Sequence, residues 1–164
     1  MKPLCIIGKG RGWIEATEDE TRDKWIVSSA YFHVPTVLVD KIFQLHHPLI
    51  WEPYLYRIRN RVVIAWDKEG FEDCEHLPVS YLVREFGPVF PSSISWMLAY
   101  ALTTGYRDIT IAGVDMEHRS EYGVQRDYLM YMMGVAVGRG AKVHIPPTNG
   151  MFLHPQIYGV EENE

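Results

Sequence analysis

The residues best suited to chemistry sit in short segments that follow apolar runs. The first segment is Gly8-Lys9-Gly10-Arg11-Gly12, ahead of Trp13 and directly after the run Pro3 to Ile7. Glycines let a backbone approach an anion, and the N–H groups that follow can cradle a phosphate. Lys9 and Arg11 add positive charge. The spacing is not the dinucleotide fingerprint, because Trp13 stands where the third glycine of G-x-G-x-x-G would fall. Nor is it a P-loop, which needs a longer spacing closed by Gly-Lys-Ser/Thr. A purely structural turn is the competing reading. A second segment, Ser92-Ser93, precedes the apolar run Ile94 to Thr104. Serine oxygens cap helices, and a helix start carries free donors and partial positive charge. One serine can cap while the other reaches a ligand.

The third segment is Gly113-Val114-Asp115-Met116-Glu117-His118, after the β-branched run Asp108 to Gly113. Its carboxylates and imidazole have the right chemistry for a divalent cation. The favoured role for Asp115 is instead to fix the loop or to accept from ligand hydroxyls, and no metal is expected. Three histidines, His46, His47 and His118, are the candidate general bases. His46 and His47 are adjacent, so on an extended chain they point to opposite faces and do not share a metal. Ser28, Tyr122, Gln125 and Thr148 complete the candidate binding set with Gly8, Lys9, Gly10, Arg11, Gly12, Ser92, Ser93, Gly113 and Asp115. His144 reads as a satisfied strand histidine, and the Tyr- and Met-rich stretch from Tyr128 to Met133 as packing.

These segments need a frame. The patterns predict strands over 3–7, 25–30, 36–39, 61–65, 108–113 and 142–145, with 42–45 extending the third or forming a short element of its own. Helices are predicted over 50–59, 79–86, 94–104 and 122–138, with the third closed by Gly105 and the last by Gly138-Arg139-Gly140. Residues 66–78 read as a loop. Several strands are short and apolar on both faces and alternate with helices. That is the signature of an α/β fold with a single doubly wound, mostly parallel sheet flanked by helices, Rossmann-like in kind. Such sheets bind ligands outside the carboxyl ends of their strands. The loops after Ile7, Ala30, Ala65, Ile111 and Ile145 are therefore the ones to watch. A chain of 164 residues is expected to form one domain over 1–164, with an acidic tail at 160–164.

Composition excludes some classes. The formal net charge is -5 and no basic stripe runs along the chain, so phosphate-neutralising nucleic-acid binding is not expected. No apolar run approaches the ~20 residues of a membrane span. Two cysteines without Cys-x-x-Cys spacing suit a reducing compartment, and a cytoplasmic location is expected.

The stretches FPSSISWMLAYALTTGYRDITIAGVDM, SEYGVQRDYLMYMMGVAVGRGAKVHIPP and IYG, with FQLHHP before them, are similar to small proteins of tailed bacteriophages and prophages, some of them described as morphogenetic. More distantly, the chain resembles bacterial sialyltransferases that use cytidine-nucleotide sugars, and pterin-pyrophosphokinase-like and flagellin-glycosylation proteins. Gly8 and Gly10, Ser92 and Ser93, and Gly113 and Asp115 carry that likeness. Lys9 stands where the sialyltransferases typically have Asn, and Arg11-Gly12 replaces their Pro-Ser. The resemblance implies a nucleotide or nucleotide sugar as ligand, with no further cofactor required. Three readings stand: a nucleotide-sugar-dependent transferase, a non-catalytic nucleotide binder that sequesters a host signalling nucleotide, or an assembly protein on a Rossmann-like scaffold. Homo-oligomerisation is left open.

Overall fold

The computed structural model describes residues 2–30, 34, 39–46, 59–65, 72–116 and 121–152. Its frame is one seven-stranded sheet. The strands are β1 (Leu4–Ile7), β2 (Asp23–Val27), β3 (Lys41–Gln44), β4 (Val62–Ile64), β5 (Glu75–His76), β6 (Asp108–Ala112) and β7 (Lys142–His144). Every neighbouring pair is parallel, in the order β5-β4-β3-β2-β1-β6-β7. The sheet is α/β and Rossmann-like, and it is parallel throughout rather than mostly so.

Among the described residues four α-helices flank it: α1 (Trp13–Glu18), α2 (Val79–Phe86), α3 (Ser93–Thr103) and α4 (Glu121–Gly138). The alternation of side chains along each strand divides the core in two. Leu4, Ile6, Trp25, Phe43 and Ile109 pack under α2, α3 and α4. Cys5, Ile7, Ile26, Ile42 and Ile64 point the other way, where Trp13 and Ala16 of α1 cover part of them. Such double burial is why these strands read as continuous apolar runs. Cys5 is 1% exposed, and burial pushes its thiol up to about 12.

α3 is buried from Ile94 to Leu102 except at half-buried Trp96, so its apolar residues leave no polar stripe. It ends on the Gly105 turn, where φ is +96° and a side chain would be strained.

Several boundaries differ from the sequence reading. α1 was not foreseen: six residues, three of them charged or hydroxylated, give too little periodicity to register. β2 starts two residues earlier than expected and gives way to a 3-10 turn at Ser28–Ala30. The third strand is Lys41–Gln44, so Ile42 and Phe43 belong to an element of their own. The expected strand over 36–39 lies, but for Val39, outside the described residues. The expected helix over 50–59 lies outside them too, apart from Arg59, which opens a 3-10 turn into β4. β5 lies in the segment read as a loop. Among the described residues no helix is long and apolar enough to cross a membrane.

Candidate functional site

Strand order fixes where a ligand can enter. From β1 the chain builds outward through β2, β3, β4 and β5, then returns to place β6 on the other side of β1. The chain leaves β1 for α1 on one face of the sheet and β6 for α4 on the other, and the carboxyl edge beside this switch point is where such sheets bind ligands. A cleft of about 930 Å³ lies there. Its walls bring together Gly8, Lys9 and Gly10 after β1, Ser28 after β2, and His46 after β3. Ser92 and Ser93 at the start of α3, Gly113 and Asp115 after β6, and Gln125 on α4 complete them.

The glycine loop and the loop after β6 are locked together. The Gly8 N–H donates to Ala112 O at 2.9 Å and the Gly10 N–H to Gly113 O at 2.7 Å. The Arg11 N–H donates to both carboxylate oxygens of Asp115, at 3.3 and 3.2 Å. The Gly150 N–H reaches Asp115 Oδ1 at 2.9 Å. One carboxylate thus ties the segments after β1, β6 and β7 into a unit. The glycines follow from this closeness. A Cβ at Gly10 would stand 2.6 Å from Asp115 Oδ2, and one at Gly8 would overlap the Gly113 carbonyl oxygen. The backbone donors of Gly8, Gly10 and Arg11 are consequently spent inside the protein. An open phosphate cradle at Gly10 and Arg11, as the sequence suggested, is replaced by a cradle already holding a carboxylate.

The loop after β7 is fastened from beneath. Asn149 is fully buried, its Nδ2 donates to Ile111 O at 3.1 Å, and its Oδ1 accepts from the Met151 N–H at 3.1 Å. Thr148 sits against Gly12 on the far side of the glycine loop. Thr148, Gly12 and Arg11 do not line the cleft. His47 and His118 lie outside the described residues, as does the side chain of Tyr122.

The start of α3 faces the cleft. Ser92 is its N-cap, and its Oγ accepts from the Ser95 N–H at 3.3 Å and lies 3.1 Å from Ser95 Oγ. Ser93 and Ile94 occupy the first two helical positions, whose N–H groups have no intrahelical acceptor. Both residues line the cleft.

A wall that the sequence reading missed stands beside them. Phe90 and Trp96 stack with ring centroids 3.9 Å apart and planes 14° from parallel. Phe86 meets Phe90 edge-on at 6.5 Å. Phe90 and Trp96 are half-buried and line the cleft. The available signal was the pair of aromatics flanking the Ser92 cap. The residue just ahead of a cap often packs against the fourth helical position, here Trp96; in this chain Phe90, one residue further out than Pro91, takes that place. Among the described residues no group of three or more His, Cys, Asp and Glu side chains is placed to hold a metal ion.

No protein-family model matches the chain, and no curated protein matches it. Among solved structures it is similar to the sialyltransferase CstII from Campylobacter jejuni, determined in complex with a substrate analogue, cytidine-5'-monophosphate. The TM-score is 0.65 at 15% identity, over 93% of this chain and 83% of that one. At that identity the likeness is one of fold.

Proposed function

We propose that the cleft at the carboxyl edge binds a nucleotide or nucleotide sugar, and that the protein acts as a glycosyltransferase-like transferase. The observation that carries this reading is convergence. Lys9, the free N–H groups at Ser93 and Ile94, the Phe90–Trp96 wall and His46 all border one cleft at the sheet's switch point. Each supplies a different part of what such a ligand needs. The helix start and the Lys9 ammonium offset phosphate charge. The aromatic wall offers a flat surface for a base or a sugar ring. Ser28 and Gln125 present hydrogen-bonding groups to hydroxyls.

In a transfer step the bond from the sugar's anomeric carbon to the phosphate oxygen breaks as an acceptor oxygen attacks. The departing phosphate gains charge, and preorganised donors at Ser93 and Ile94 with Lys9 stabilise it. His46 is the candidate base for the acceptor's proton. Asp115, committed to the Arg11 and Gly150 N–H groups, holds the walls in place.

The likeness to a sialyltransferase solved with cytidine-5'-monophosphate supports testing cytidine nucleotides first. Incubation with a panel of nucleotide sugars should release free nucleotide, and His46→Gln should slow release by about 10²–10⁴-fold while leaving nucleotide affinity in place. Tight binding with no release above spontaneous hydrolysis would overturn the transferase reading. One observation favours that second, binding-only outcome. Asp115 is the single carboxylate among the described cleft residues, and it is already engaged by backbone donors.

A further inference from the structure

α4 turns Leu129, Met132 and Ala136 into the core it shares with α2 and α3. A surface helix normally turns charged and polar residues the other way. The outer face of α4 does not. Val124, Tyr128, Met130, Tyr131 and Val137 are 39–59% exposed. From Val124 to Gly138 the exposed positions carry one charge, Asp127. The Tyr- and Met-rich stretch read from sequence as packing is therefore split, with Tyr128, Met130 and Tyr131 facing outward. The remaining exposed positions of that span are Gly134 and Gly138, one helical turn apart. A Cβ at either would meet nothing within 4 Å, and neither has a positive φ. Nothing inside this chain calls for glycine there, although glycine is the poorest helix former after proline. Close approach of a second helix backbone would call for it.

The pattern of the face indicates what covers it. Positions 124, 128, 131, 134 and 138 recur at helical spacing and share one side. The first half carries bulk, at Val124, Tyr128 and Tyr131; the second half is bare, at Gly134 and Gly138. Two copies running antiparallel about a two-fold axis level with Met133, midway between Tyr128 and Gly138, bring bulk onto bareness at both ends. Tyr128 of each copy then faces Gly138 of the other, and the two Gly134 backbones meet near the axis. The same register sets Asp127 level with Arg139 of the other copy, so opposite charges meet twice. Arg139 is 40% exposed beside Glu85 and keeps room for a second carboxylate. Such self-matching is what an isologous interface requires. The area agrees. The five apolar residues present on the order of 500 Å², as much as the largest apolar patch of a typical monomer. Two copies together would bury about 1,000 Å², the size from which a specific interface is expected. A lipid surface fits less well, because membrane-surface helices border their apolar face with Lys and Arg. On α4 Arg126 is turned to Met151 O and Arg139 to Glu85.

We propose that the outer face of α4 is a dimer interface, covered by α4 of a second copy in antiparallel register. It does not depend on the ligand assigned to the carboxyl-edge cleft.

Light scattering on the full chain from about 1 to 500 µM should show a monomer–dimer equilibrium with a dissociation constant in the micromolar range. Gly134→Gln should loosen the dimer at least about tenfold. The same change should raise the melting temperature of the dilute monomer, since glutamine is the better helix former and nothing stands in its way. A role for Gly134 within the monomer would move stability in the opposite direction. Mild oxidation of the double variant Tyr128→Cys/Gly138→Cys should give a covalent dimer, and neither single variant should. Within one helix those positions lie ~15 Å apart and cannot close on each other. Cys5 and Cys74 are buried and do not compete. Three outcomes would overturn the proposal: a monomer at every concentration, a dimer that Gly134→Gln leaves intact, or a dimer that does not cross-link in this register. Dimerisation only after removal of residues 153–164 would overturn it too, by assigning the face to the chain's own end. Should Gly134→Gln fail to fold, the cross-link decides.

Discussion

At the scale of single residues, the carboxyl-edge cleft turns on Asp115 and Gly10. The sequence marked both but left their relation open, since nothing in a one-dimensional pattern says that a carboxylate more than a hundred positions away will fill a glycine loop. A glycine required by a neighbour's bulk looks the same in sequence as one required by a phosphate. The structure distinguishes them through geometry, because the Asp115 oxygens occupy the space that a Gly10 side chain would need. Asp115 has little freedom to yield, being held by the Arg11 and Gly150 N–H groups. Gly10→Ala is therefore expected to cost about 1–3 kcal/mol as overpacking. Asp115→Ala should cost about 0.5–1.5 kcal/mol by removing the acceptor of the exposed Arg11 and part-buried Gly150 N–H groups. In the double variant the added methyl group has room, so the costs should fall short of additive by about 0.5–3 kcal/mol. Urea unfolding of the four proteins measures that coupling. Strict additivity would show that Gly10 serves something other than Asp115.

At the scale of elements, what could be read depended on length and apolar content. α2 was legible to the residue, because an apolar periodic stretch is closed by Gly87-Pro88. α3 and α4 were legible to within one residue, as long stretches rich in apolar residues and closed by Gly105 and by Gly138-Arg139-Gly140. β5 was not, since Glu75 and His76 carry no apolar signal. Its place at the sheet edge comes from tertiary contacts that no local pattern announces. Glu75 meets the Lys41 ammonium and accepts from the Tyr100 hydroxyl. Burial and that carboxylate push the Tyr100 phenol well above its ordinary value. The amino-terminal ends of β2 and β6 are joined in a similarly hidden way. Arg22 bridges Asp19 and Asp108, with His144 at 3.7 Å from Asp108.

This clamp predicts a pH response. Hydrogen bonds from the Arg22 guanidinium hold Asp108 below the usual carboxylate value, and bonds from Thr21, aided by Arg22, do the same for Asp19. Carboxylates lowered on folding stabilise the protein above their unfolded value near ~4 and lose that contribution as pH falls through the folded values. The pairs are partly solvated, so the share is modest, up to about 1 kcal/mol. Arg22→Ala should thus lower stability at neutral pH and flatten its decline below about pH 4. Chemical unfolding from pH 2 to 7 checks this; an unchanged acid limb would remove Arg22 from the account.

At the scale of the whole molecule, the strand order is what gives the local features a common purpose. The alternation of strand and helix announced a parallel sheet, and the rule for such sheets pointed to the carboxyl edge. The order itself was not readable, because β1 looks alike whether its neighbours are β2 and β6 or any other pair. Once β6 is set beside β1, the cleft walls come from both sides of the switch: the loops after β1, β2 and β3 on one side, and the loop after β6 with α4 on the other. α3, which precedes β6 in the chain, sets its first turn across the opening. A ligand seated there must touch segments far apart in sequence and tie them together. Saturating nucleotide at about 100 times its dissociation constant should stabilise the fold by ~2.7 kcal/mol. Hydrogen exchange should then slow jointly at 8–12, 92–96 and 113–116, since opening any one of these walls would expose the ligand as well as the backbone. If nucleotide slows exchange in only one of the three, the segments do not share a ligand. The cleft would then be a consequence of strand order rather than a binding site.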